Sequence, residues 1–309
     1  MPKTLETVAT ANRALVFGIG GGGDVVSTVP TARLLELLGV EVIIGGVTWI
    51  PVPRDVRPGP RSIDELRGVD RLDDRIAAVT PTSETVDGIP LAEAGVAETV
   101  ENEVIALDIA GGAHTLGASL ASYADREAID LVIGVDAGGD ALAVGDEPGL
   151  RSPLTDAVGI AVLESLDVQT ILGVIGYGSD GELTHDELAA AFADLARADA
   201  LLGAWGITPA IRRELETILE TVETEASRIP VEAASGRFGD RSIRGGRRTA
   251  TASPASPVTY YFDPGAVASR TRLVDLVRGT ETLEAAADAL RQRGLSTEFD
   301  LERERMDTA

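Results

Sequence analysis

One stretch, Leu15–Asp24 (LVFGIGGGGD), constrains the fold more than any other. An apolar run without polar alternation reads as a strand buried on both faces, which is the habit of a parallel sheet. The run breaks into four consecutive glycines and closes on an aspartate. Glycine lets the backbone turn sharply, and an acid suits the start of a helix. A near copy, LVIGVDAGGD, occupies Leu131–Asp140, and across Leu15–Val26 and Leu131–Leu142 six of twelve positions are identical. Two strand–turn–helix units of one design therefore stand far apart in one chain.

The rest of the chain continues the alternation. Further apolar strands are expected at Val40–Val47, Val104–Ile109, Thr170–Ile175 and Val258–Phe262. Helices are expected at Val25–Leu38, after AGGAHTLGAS to Ala124, and from the Ser152–Pro153 start to Leu166. Others run from the Thr184/Glu187 capping box to Ala198, from Thr208–Pro209 to Ser227, from Asp263–Pro264 to Gly279, and over Leu283–Arg293. Thr48–Pro60 is a proline-rich loop, Arg75–Val100 reads as a hairpin at the sheet edge, and Ser235–Pro257 has little periodicity. Strands alternating with helices specify an α/β fold: Rossmann-like, with a mostly parallel sheet and helices on both faces. No linker divides it. The reading is a flexible N-terminus over 1–12, a single domain over 13–294 and a charged tail over 295–309 that frays.

Composition removes whole chemistries. The 309 residues contain no cysteine, so thiol nucleophiles, disulfides and cysteine metal sites are excluded. The single lysine, Lys3, lies in the N-terminal segment expected to be flexible, which argues against a Schiff base or a phosphate-loop lysine. Two histidines, His114 and His185, cannot build a histidine-rich metal centre. The formal net charge of −23, carried by dispersed acid, points to a surface adapted to high salt and a halophilic source. The same field disfavours nucleic-acid binding. No run is long enough to span a membrane and no signal peptide is recognisable, so a cytoplasmic protein is expected. A homo-oligomer is expected only from general frequency.

In parallel sheets, ligands sit outside the carboxyl ends of the strands. Five strand ends finish in small or acidic residues: Gly18–Asp24, Gly45–Thr48, Asp108–His114, Asp136–Asp140 and Gly176–Asp180. From these come the candidate ligand-binding residues Gly18, Gly20, Gly21, Gly22, Gly23, Asp24, Gly111, Gly112, Gly138 and Gly139. Asp24, Asp136 and Asp140 are candidate ligands for Mg²⁺, which takes carboxylates and keeps positions for phosphate oxygens; Asp108 is a fourth. Asp136, Asp140 and His114 are the candidate catalytic groups, as base or acid. The competing reading of the aspartates is plain N-capping of the helices that follow, and of His114 a satisfied structural role. His185, just inside a capping box, reads as solvent-exposed.

Arginines gather at Arg54, Arg57 and Arg61 in the proline loop and at Arg237, Arg241, Arg244, Arg247 and Arg248 in the glycine-rich segment. Of these, Arg61 and Arg244 are the candidate anion ligands, since guanidinium pairs bidentately with phosphate or carboxylate. The alternatives are salt bridges to the acidic body or a disordered loop. Gly18-x-Gly20-x-x-Gly23 is formally a dinucleotide fingerprint, yet the second strand ends Gly45-Gly46-Val47-Thr48 without the acid such a site uses.

The strand–GGGGD–helix opening, the Pro51–Arg61 stretch ending PGPR, and GVDAGGD together resemble the domain-of-unknown-function family numbered 1152, of archaea and actinobacteria, over about residues 12–280. The resemblance implies a Rossmann-like protein, and it favours treating Gly18–Asp24, Pro58–Arg61 and Asp136–Asp140 as one site. It supplies no substrate. The functional expectation is an enzyme acting on a small phosphorylated or carboxylated metabolite, a nucleotide among the options, with Mg²⁺ assistance. A non-catalytic binding or regulatory protein and a dinucleotide-dependent oxidoreductase are the alternatives.

Overall fold

A computed structural model describes residues 8, 10–51, 54, 55, 57 and 59–307. Nine strands form one mixed sheet. Its centre is parallel: β5 (Val104–Leu107), β2 (Glu41–Val47), β1 (Arg13–Gly18), β6 (Leu131–Ala137) and β7 (Gln169–Ile175). Antiparallel strands extend both sides, with β4 (Ile76–Thr85) and β3 (Leu66–Asp73) on one and β11 (Val258–Phe262) and β8 (Leu201–Gly206) on the other.

The apolar runs behave as their pattern requires. Leu15, Phe17, Ile43 and Ile105 point into one core layer. Their neighbours Ala14, Val16, Val42 and Ile44 point into the other. The first layer is closed by the helices Gly112–Arg126, Pro153–Ser165 and Leu283–Arg291, the second by Val29–Leu37, Ala92–Ala97 and Pro209–Thr221. No helix among the described residues is long and apolar enough to cross a membrane.

Several expectations need correction. The helix expected over Val25–Leu38 is two, Asp24–Ser27 and Val29–Leu37, because Pro30 has no amide to continue the first. The edge hairpin begins earlier, at Leu66, on a polar strand (LRGVDRLD). Strand β8, an apolar run (LLGAWG) broken by two glycines, lies outside the expected strands, as does the small hairpin β9 (Gly239–Ile243) with β10 (Arg248–Ala252), which lacks such a run. The segment expected to fray after Gly294 carries the helix Glu298–Met306. Thr297 and Asp300 form its capping box, Phe299 packs 5.1 Å from Trp49, and Arg291 pairs with Asp300 at 3.1 Å. The N-terminal reading falls mostly outside the described residues.

From β1 the chain steps outward through β2 to β5, then returns to β6 and β7 on the opposite side. The crevice between the carboxyl ends of β1 and β6 is thus the point where the winding reverses, the usual ligand position in such sheets. All five predicted strand ends lie on this one edge of the sheet.

Candidate functional site

A cavity of about 440 Å³ opens at that crevice, and both glycine turns line it. The first turn contributes Gly20, Gly21, Gly22, Gly23 and Asp24. Its geometry serves the aspartate: the amides of Gly20 and Ala137 donate to the Asp24 carboxylate, and a methyl group on Gly20 would overlap that carboxylate. Gly18, the last residue of β1, packs against the backbone of Asp24 and lies outside the cavity lining. The Gly22 amide donates to the Trp49 carbonyl at 2.7 Å. Two amides that a phosphate cradle would use are therefore already engaged.

The second turn is built alike. Asp136 accepts from the Gly139 amide at 2.8 Å, which folds the turn back on itself. Gly138 has φ +148°, and a side chain there would collide with the Asp180 carboxylate. Gly139 also has positive φ and packs on Leu188; neither glycine lines the cavity.

Likeness of the two motifs does not decide which acids meet. The motifs align Leu15 with Leu131, but pairing sets Ala14 opposite Leu131, one position out of step. It is Asp136 that joins Asp24. The third partner is Asp156, from the first turn of the helix Pro153–Ser165. Oxygens of Asp24, Asp136 and Asp156 lie within 4.8 Å of one another. Asp156 is 5% exposed, and its Oδ1 is buried without a hydrogen-bond partner. Asp140 and Asp180 line the same wall.

Crowded, buried carboxyls resist ionisation. Burial pushes Asp24 up to about 7 and Asp180 to about 6. Asp136, Asp140 and Asp156 are raised well above the carboxylate range, first by burial and then by the acids around them.

Cationic groups face these acids. Arg54, Arg244, Arg247 and Arg305 line the cavity. Arg244 sits at φ +54° in the turn of the β9–β10 hairpin, and its charge acts on both Asp24 and Asp180. Burial and the neighbouring guanidiniums, Arg244 foremost, depress Arg305 below its usual value. Glu302 pairs with Arg305 at 3.2 Å and meets part of this positive charge.

The amides at the start of the helix Pro153–Ser165 are already capped from within the protein. Glu298 accepts from the amides of Leu154 and Thr155 at 3.1 and 2.7 Å, and burial lifts its carboxyl to about 7. Ser152, the expected cap, instead bonds Glu182.

Other predicted residues are placed elsewhere. Arg61 is 1% exposed and bound to Asp55 and Asp87, outside the cavity lining. Pro58 lies outside the described residues. His114 is exposed at the start of its helix, and Gly111 and Gly112 pack beside it, with none of the three at the cavity. Asp108 pairs with Arg75 at 2.8 Å and caps the Ala110 amide, leaving it unsuited to the cluster. His185 is half-buried beside Tyr177. Asp156 and Glu298 were missed as site residues. A single acid in the otherwise apolar LTDAVGIAVL was the available signal for Asp156.

Fold and cavity together define a Rossmann-like α/β protein whose switch-point crevice is walled by aspartates and arginines. The family described as protein of unknown function (DUF1152) matches residues 15–306, and the chain belongs to it. The match runs past the span expected from the motifs and takes in the helix Glu298–Met306. No curated protein matches the chain.

Proposed function

We propose that the cavity binds a divalent cation of the Mg²⁺ or Mn²⁺ type on Asp24, Asp136 and Asp156, and that the protein is an enzyme acting on a small anionic metabolite held against Arg244 and Arg305. The observation that carries this reading is the convergence of three carboxylates from three elements within 4.8 Å, one of them with a buried, unpartnered oxygen. Hard cations take oxygen ligands of this kind and retain positions for a phosphate. The arginine wall suits a phosphorylated or carboxylated ligand. Engagement of the Gly20 and Gly22 amides supports this reading over a pyrophosphate seated on the glycine turn, as a dinucleotide would require. A binding protein without turnover would use the same cavity, and assay with phosphorylated metabolites separates the two.

Asp156→Asn is the direct test. It keeps the shape of the side chain and is expected to weaken Mn²⁺ binding by at least about 100-fold, the upper range for losing a residue that merely supports a metal ligand. Titration calorimetry in molar KCl reads the change, since the acidic surface is proposed to be adapted to salt. Unchanged affinity removes the assignment. Gly20→Ala is expected to displace the Asp24 carboxylate and cost roughly tenfold in the same titration. Its far-UV circular dichroism should match the wild type.

A further inference from the structure

Asp140 and Asp180 form a second acidic pair that the cation assigned above does not use. Both are buried, at 6% and 4% exposure, and both line the cavity. One oxygen of Asp180, Oδ1, accepts the Glu182 amide at 2.6 Å. The other, Oδ2, is buried with no hydrogen-bond partner. The Asp140 carboxyl lies within hydrogen-bonding reach of Asp180. The approach is designed into the backbone: Gly138, at φ +148°, leaves out the side chain that would strike Asp180 Oδ2.

The nearby cation Arg248 is spent on Glu182. Two facing carboxyls with no donor between them need a proton or a metal ion. Charge matching selects the metal. Asp24, Asp136, Asp140, Asp156 and Asp180 share one cavity. With the four glutamates that also line it, the cavity carries nine acids against four arginines, a formal excess of five negative charges that one divalent ion leaves at three and two leave at one.

Resting on the cation reading above, we propose that Asp140 and Asp180 hold a second divalent cation, and that the ligand is a phosphate ester whose oxygens bridge the two ions. Paired metal ions are suited to clamping both oxygens of a phosphoryl group. Gly176 and Gly138 keep Asp180 and its loop close to β6, and the charge of Asp180 acts on Asp136 and that of Asp136 on Asp140, which sets the second position beside the first.

Manganese stoichiometry tests this directly. The full-length protein is titrated with Mn²⁺ alone by calorimetry, and its low-temperature electron paramagnetic resonance spectrum is recorded at saturation. Wild type is expected to take two ions per chain with an exchange-coupled spectrum. D180N and D140N are each expected to take one, with the six-line signal of an isolated ion. One ion in wild type, retained in D180N, would overturn the second site, identify the pair as proton-sharing and leave the first site standing. No ion in wild type would overturn both. Should D180N fail to melt cooperatively, D140N and the wild-type count still decide the matter.

Discussion

Replacing Arg61 with alanine is expected to destabilise the protein by roughly 3–5 kcal/mol, the typical cost of removing one partner from a buried ion pair. The guanidinium bonds Asp55 through Nε at 2.5 Å and reaches Asp87 Oδ2 at 3.2 Å. Asp55 is itself 1% exposed, so the substitution strands a buried carboxylate. The backbone of Arg61 is tied as firmly, its amide donating to the Thr48 carbonyl at 2.7 Å and its carbonyl accepting from the Thr48 hydroxyl. Arg61 thus staples the proline-rich loop to the end of β2. Urea unfolding reads the loss. Below the unfolding transition, Mn²⁺ affinity should equal that of wild type. A variant of normal stability that loses anion binding would instead make Arg61 a ligand group.

Glu93→Gln should stabilise the protein above neutral pH and change little in acid. Glu93 is 2% exposed on the helix Ala92–Ala97, and its carboxyl occupies the space left by Gly46 on β2. Burial raises its pKa from 4.5 to about 7. The folded state therefore holds the proton more tightly than the unfolded chain. The stabilisation this provides is complete below the unfolded value near 4.5 and is lost as pH rises through 7. Glutamine stays neutral throughout, so the variant should gain up to about 3 kcal/mol over wild type by pH 8 and converge with it below pH 4.5. Asp24, Asp180 and Glu298 titrate in overlapping ranges, and subtracting the two pH profiles cancels them. Parallel profiles would show that Glu93 finds solvent or a cation when it ionises.

The parallel centre of the sheet was legible because strands buried on both faces must be continuous apolar runs. Its carboxyl edge followed, and with it Asp24, Asp136 and Asp140. The edge strand β3 was not legible, since partial exposure removes the need for apolar residues, and the apolar run of β8 is short and broken by two glycines. Asp156 reached the site by tertiary packing of a helix start, which no local pattern encodes. Arg61 and His114 were misplaced for one reason. Adjacency to a proline or glycine turn says where a residue sits in the chain, not the direction of its side chain. The stagger between β1 and β6 was invisible as well. Sequence likeness pairs Asp24 with Asp140, whereas in the folded chain it is the carboxylates of Asp24 and Asp136 that meet.

That pairing of β1 with β6 bears on how the chain folds. Ala14 and Leu131 are neighbours in the sheet but more than a hundred residues apart in sequence. Contacts so distant form late, after the entropy of closing a long loop has been met. Until then Asp24 and Asp136 are solvated and carry ordinary carboxylate charges. Docking the two strands buries them and draws protons from the solvent at neutral pH, because Asp24 moves up to about 7. Refolding should therefore end in a slow phase that consumes protons, visible to an indicator dye in weak buffer. Manganese present from the start should suppress that uptake.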